Sequence, residues 1–147
     1  MMIVRYAEHT AKFKQFRMPL ANGCIFIPGN VPSSKNSKQF VHAKGGRPFL
    51  VDSKVTREYK KATEWYWAMH KKDFLKMVGD KSFPLRVKFR FVRGSRRKFD
   101  YVNPLQTVQD IMQKYGWIPD DDSDHLFPLL EGYSYDKQQP GVYISLE

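Results

Sequence analysis

One cysteine in 147 residues rules out a disulfide within this chain and a thiolate zinc site, since both need at least a second thiol. Cys24 sits in an apolar run and reads as a small core residue. The longest apolar stretches, such as residues 23–28, fall far short of the roughly 20 residues that cross a bilayer. Residues 1–20 have no apolar centre of the kind a signal peptide carries. A reducing, cytoplasmic setting with no membrane attachment is therefore expected. The nine glycines lack phosphate-loop spacing, His9, His42, His70 and His125 lack ligand spacing, and no serine or cysteine triad is suggested. Nothing in the pattern calls for a small-molecule cofactor.

Acidic residues are outnumbered, 15 against 25 lysines and arginines, for a formal net charge of +10. Their placement is uneven. Residues 1–98 hold 23 basic and 6 acidic residues, whereas residues 99–147 hold 2 and 9. A basic body suits a polyanionic partner, because each phosphate neutralised releases counterions. Charge alone leaves open the alternative of a solvated charged face. At 41% hydrophobic and 15% aromatic residues the chain can bury a real core, and its length suits one domain.

Residues 1–20 show no clean period and are expected to form an N-terminal extension; Met18 would also begin a sensible domain. Residues 21–147 are expected to be the folded domain. Residues 23–28 read as a short buried strand, followed by a loop over 29–38 dense in turn formers. Residues 40–43 and 47–51 read as a hairpin around Lys44-Gly45-Gly46. From Ser53, a plausible N-cap, the pattern turns helical: Val55, Tyr59, Ala62, Tyr66 and Met69 share one face. Lys54, Arg57, Lys60, Lys61 and Lys71 lie opposite, and Trp65 and Trp67 flank the stripe. Gly79-Asp80 closes this helix. Residues 85–92 alternate with period two, Leu85, Val87, Phe89 and Phe91 on one face and Arg86, Lys88, Arg90 and Val92 on the other. A second helix is expected from Asn103 as N-cap and Pro104 as N1, with Leu105, Val108, Ile111, Met112 and Tyr115 inward and Gly116 as its stop. Residues 125–135 and 141–146 read as two more strands joined by a turn at Lys137-Gln-Gln-Pro140. The expected class is α+β, a mixed sheet of five or six short strands packed against two main helices.

The candidate chemistry lies in the acidic last third. Asp100 is expected at a strand end, Asp110 on the second helix, and Asp120 to Asp122 just beyond it. Asn103, Gln106 and Asp110 share a helix face, because seven residues return within roughly 20° of two full turns. That helix is about 18 Å long, and an extended segment after Gly116 returns about 16 Å. Asp120 or Asp121 can thus fold back towards Asp100 and Asp110. Two bare charges 4 Å apart repel by about 4 kcal/mol at an effective dielectric near 20. A hard divalent cation removes that penalty, and oxygen ligands with retained waters are what Mg²⁺ prefers. Just upstream, Arg93, Arg96, Arg97 and Lys98 form the densest cationic run. Cations to hold phosphates beside carboxylates to hold a metal is the division of labour a nuclease needs; a plain polar turn at 120–124 is the competing reading.

The run Arg96-Arg-Lys-Phe-Asp100-Tyr-Val-Asn103-Pro-Leu-Gln106-Thr-Val-Gln-Asp110-Ile-Met, then Gly116-Trp-Ile-Pro-Asp120-Asp121-Asp-Ser, resembles the central signature of the RusA family. These are small dimeric endonucleases of phages and prophages that resolve Holliday junctions with Mg²⁺. Ile27-Pro-Gly-Asn-Val-Pro-Ser-Ser-Lys35-Asn36-Ser-Lys38 resembles the family's opening strand and loop, and Pro140-Gly-Val-Tyr-Ile its last strand. The similarity spans residues 24–146 in order. It implies a RusA-like fold, a homodimer, and a role in DNA recombination and repair. By position Asp100 matches the family's first catalytic aspartate, Asp121 the late one with Asp120 beside it, Asp110 that of the second helix, and Asn103 the asparagine after the acidic pair. Lys35, Asn36 and Lys38 fall in a loop that the resemblance puts near the active site.

Two positions depart from the family pattern: Val102 stands where a second aspartate is usual, and Gln106 where a lysine is usual. Valine binds no metal and glutamine carries no charge. Either Asn103, Asp110 and Asp120 compensate, or cleavage is weakened or lost. The resulting expectation is a metal-dependent endodeoxyribonuclease selective for branched DNA, the four-way junction above all. Its metal would be Mg²⁺, with Mn²⁺ as a substitute, bound by Asp100, Asp110, Asp120 and Asp121 with Asn103 and Gln106 in support. Lys35, Asn36, Lys38, Arg93, Arg96, Arg97 and Lys98 would contact the DNA. The alternative is a homologue that binds branched DNA without cutting it.

Overall fold

The computed structural model describes residues 23–33, 38–42 and 44–147; the expected extension over residues 1–20 lies outside them. The described residues form strands β1 (Cys24–Pro28), β2 (Lys38–His42), β3 (Pro48–Asp52), β4 (Leu85–Arg93), β5 (Leu126–Tyr135) and β6 (Gly141–Leu146), with helices α1 (Lys54–Val78) and α2 (Val102–Lys114). The class is α+β, as expected. The strands divide into a four-stranded mixed sheet, in the order β1-β6-β4-β5, and a separate β2–β3 hairpin.

β4 is an inner strand of the larger sheet, between β6 and β5, and its period-two pattern lays one face on the core. Leu85, Val87, Phe89 and Phe91 are all buried, while Arg86 and Arg90 between them are exposed. Burying each such side chain contributes about 1.5–3 kcal/mol. β4 runs antiparallel to β6 and parallel to β5, so α2 is the crossover that a parallel pair requires. The β5–β6 connection passes the end of β4, held by Asp136 N donating to Arg93 O at 3.0 Å and Gly29 N donating to Pro140 O at 2.8 Å.

α1 begins at the expected cap, Thr56 N donating to Ser53 Oγ at 3.3 Å. Its buried face matches the expected one only in part, since Tyr59 is buried and Tyr66 packs against the core. Thr56, Tyr59, Thr63, Trp67, His70 and Phe74 are buried, whereas Val55 is 60% exposed and Ala62 is exposed. The threonines go inside because their hydroxyls are bonded: Thr56 Oγ1 accepts from Ser53 Oγ at 3.0 Å, and Thr63 Oγ1 donates to Tyr59 O at 2.8 Å and accepts from Trp67 Nε1 at 3.0 Å. A buried hydroxyl that both donates and accepts carries little desolvation penalty. Of the basic residues on the other side, Lys60 pairs with Asp52 at 2.7 Å. The exposed Lys54 lies 3.9 Å from Glu58.

α2 buries Leu105, Val108, Ile111 and Met112 as its pattern predicts. It ends in a Schellman closure, with Trp117 N donating to Met112 O at 2.8 Å and Gly116 N donating to Gln113 O at 3.1 Å. Gly116 takes φ +76°, which glycine adopts without strain. The chain then plunges into the core. Trp117 stacks on Phe74 with centroids 5.0 Å apart, lies 5.2 Å from the Trp67 ring, and donates its Nε1–H to Trp67 O at 2.9 Å.

At the β1–β6 pairing, a Cβ added to Gly141 would sit 2.5 Å from Ile27 O and would also meet the Phe26 ring. Gly141→Ala is therefore expected to lower stability by about 1–3 kcal/mol, read as a lower urea midpoint with an unchanged m-value.

Candidate functional site

Where β4 ends, four hydrogen bonds from three residues fasten the 29–33 segment. Gly94 N donates to Asn30 Oδ1 at 2.8 Å. The Arg93 guanidinium donates to Val31 O at 2.5 Å and to Ser33 Oγ at 2.8 Å, and lies 4.6 Å over the Phe99 ring. Asn103 Nδ2 donates to Ser33 O at 3.3 Å. Two expectations are corrected here. Arg93 is only 5% exposed, and its guanidinium is taken up internally, so it is no phosphate contact. Burial draws its pKa below the ordinary arginine value. Asn103 does not cap α2: the helix starts at Val102 with no side-chain cap, and the Asn103 amide binds the 29–33 segment instead.

Arg96, Arg97 and Lys98 are exposed. Arg96 lies 4.4 Å over the Tyr135 ring. Lys35 and Asn36 lie outside the described residues, and Lys38 opens β2. Asp100 is exposed in the turn that opens α2, not at the end of β4, which stops at Arg93. Its carbonyl oxygen accepts from Asn103 N at 3.1 Å. Asp100 lines a cleft of about 540 Å³ with Lys98, Phe99, Tyr101, Asn103 and Tyr133. The rings of this cleft were not read from the sequence as site residues; the aromatics flanking Asp100 were the available signal.

The acidic residues meet at a glutamine. Gln106 and Asp110, one turn apart, are joined by Gln106 Nε2 donating to Asp110 Oδ1 at 2.8 Å. The same nitrogen lies 3.5 Å from Asp121 Oδ2. The chain after α2 therefore does fold back, and it is Asp121 that reaches the helix. Asp120 Oδ1 turns inward to accept from Asp121 N at 2.7 Å. Further along, Asp122 Oδ1 accepts from His125 Nδ1 at 2.6 Å. This bond is the main reason the Asp122 carboxyl titrates below its ordinary value of 3.8.

Among the described residues, no group of three or more His, Cys, Asp or Glu is placed to hold a metal ion. The four expected carboxylates are thus not gathered into one cage. Mg²⁺ is commonly held by one or two carboxylates, with waters and substrate phosphate completing the octahedron. Asp110 and Asp121, which approach one amide nitrogen, Gln106 Nε2, are carboxylates of that hard-oxygen type. Val102, in the place of an expected acid, is 66% exposed. Neither a protein-family model nor a curated protein matches the chain. No helix among the described residues is long and apolar enough to cross a membrane.

Two measurements check this geometry. Arg93→Met is expected to destabilise the fold by about 1–3 kcal/mol, since it strands the Val31 carbonyl oxygen; denaturant unfolding reads it. His125→Ala is expected to raise the Asp122 pKa back towards 3.8 in an NMR titration. The sign follows because the bond favours the ionised carboxylate: its stabilisation is present above the unfolded-state pKa and is lost as pH falls through the folded one.

Proposed function

We propose that the chain is a Mg²⁺-dependent endonuclease that cuts branched DNA, the four-way junction above all, acting in the cytoplasm as a homodimer in recombination and repair. The observation that carries this reading is the convergence of Asp110 and Asp121 on one side chain, Gln106, from opposite ends of a helix and its return segment. The RusA-like order of Asp100, Asn103, Asp110 and Asp120-Asp121 supports it, as does the exposed Arg96-Arg97-Lys98 run entering the Asp100 turn.

Asp110 and Asp121 would hold the metal. Asp100 would join the centre from the turn before α2, and Asp120 would fix the backbone at Asp121. Bound there, a divalent ion supplies Lewis acidity towards a phosphoryl oxygen and lowers the pKa of a water. Gln106 separates two carboxylates that otherwise repel, and Arg96, Arg97 and Lys98 grip the DNA backbone. Recognition then follows shape and phosphate more than base edges. A two-fold dimer suits a four-way junction, which presents two equivalent strands.

A second reading has its own observations: Val102 is an exposed apolar residue where an acid is expected, and the residue between the acids is neutral. On that reading the protein binds junctions without cutting them.

An end-labelled synthetic four-way junction, alongside linear duplex and with or without Mg²⁺ or Mn²⁺, separates the two. Symmetric metal-dependent nicks in the junction alone are expected; a tight junction complex with no nicks would favour the second reading. Asp121→Asn is expected to abolish cleavage while leaving DNA affinity equal or higher, because it removes negative charge facing phosphate. Normal cutting by that variant would sink the site assignment. Neutralising Arg96 and Arg97 together is expected to flatten the slope of log K against log salt by about two contacts, with no such change for Arg93→Met.

A further inference from the structure

β5 departs from regular pairing at one place. Leu130 pairs with Phe89 and Tyr133 with Phe91, so β5 takes three steps where β4 takes two. Gly132 sits in this irregularity at φ +88°, a conformation open to glycine without strain. Because strand side chains alternate, one extra residue moves every later side chain to the opposite face. Tyr133, rather than Gly132, therefore comes to the side of Phe91. There its ring lies 5.0 Å from Phe99 and 6.2 Å from Tyr101, which are 5.1 Å from each other, all edge to face. Arg93 lies over Phe99. Tyr133 itself stays 55% exposed at the mouth of the cleft beside Asp100.

We propose that this cleft receives one unstacked nucleobase from a DNA branch point, with Tyr133 as its stacking partner. The inference rests on the branched-DNA reading and adds what the site recognises. An aromatic face stacks any base, so such a contact needs no sequence. Lys98 in the cleft wall, continuous with the exposed Arg96 and Arg97, offers positive charge to the phosphates flanking that base. Ser33 and Asn103 in the wall bring polar groups to its edge. Bases inside a linear duplex already have both faces stacked and must be extruded at an energetic cost, which is least where pairing is already broken. The cleft thus favours a branch point over a continuous helix, and it does so next to Asp100.

The experiment pairs a base deletion with a ring deletion, in EDTA so that nothing is cut. Junctions carrying an abasic site at each branch-flanking nucleotide are titrated against the unmodified protein, Tyr133→Ala and Tyr133→Trp, with linear duplex as the reference. At one position the abasic site is expected to weaken binding of the unmodified protein by roughly 5- to 100-fold. It should leave Tyr133→Ala almost unchanged, and Tyr133→Trp should recover the sensitivity. If the abasic sites act equally on all three proteins while junction is still preferred over duplex, the base is not in this cleft and the branched-DNA reading stands. If no protein prefers junction to duplex, that reading fails and this inference falls with it.

Discussion

The hydrogen bond from the Trp117 indole to the Trp67 carbonyl fixes more of this molecule than its size suggests. An indole is among the largest apolar groups a chain can bury, but its N–H must then find an acceptor. Here the acceptor belongs to α1, and the ring fills the space between Trp67 and Phe74. The chain leaving α2 has no freedom to run outward. The Schellman closure turns it, Trp117 and Ile118 are buried, and the residues that follow are carried back along the helix they have just left. Asp121 reaches Gln106 as a consequence of core packing, with no attraction between carboxylates needed.

A second buried polar group does the same for the other side of the site. Arg93 looks from its neighbours like one more member of a cationic run, yet it is inside, binding the chain at Val31 and Ser33 and backing Phe99. A charge placed there is tolerable because two oxygens and an aromatic face replace water around the guanidinium. The basic block therefore splits by burial: Arg93 organises the cleft, and Arg96, Arg97 and Lys98 beyond it remain available to solvent and to ligands.

What was legible in the sequence follows from how each element earns its place. β4 and α2 could be read because their apolar residues obey periods of two and 3.6 with few interruptions. The face of α1 could be read only in part, because Thr56 and Thr63 are polar by name but buried, Thr56 bonded to the Ser53 cap and Thr63 to Tyr59 and Trp67 of the helix. Asn103 suggested a cap and makes a long-range contact to Ser33, which no local rule can foresee. The approach of Asp121 to the helix was within reach of distance arithmetic, whereas the bridging role of Gln106 needed the fold. That Tyr133 lines the cleft was invisible in the sequence, because its direction depends on a single extra residue at Gly132, and strand parity cannot be counted until the register is known.

The neutral residue between Asp110 and Asp121 has an electrostatic meaning of its own. A lysine at that position would contribute a fixed positive charge and leave the trio with a formal charge of −1. Glutamine contributes two N–H donors and leaves −2. Its amide orders the two carboxylates without neutralising them, so the attraction for a dication is kept, while the repulsion of a DNA phosphate is also kept. On the proposed reading, approach of a DNA backbone then falls to cations outside the carboxylate pair. Arg96, Arg97 and Lys98 are the exposed charges that precede Asp100 in the chain, and the acidic pair by itself repels a phosphate. On the proposed nuclease reading, the exposed cations before Asp100 supply the positive charge that a glutamine, unlike a lysine, does not bring to the carboxylate pair.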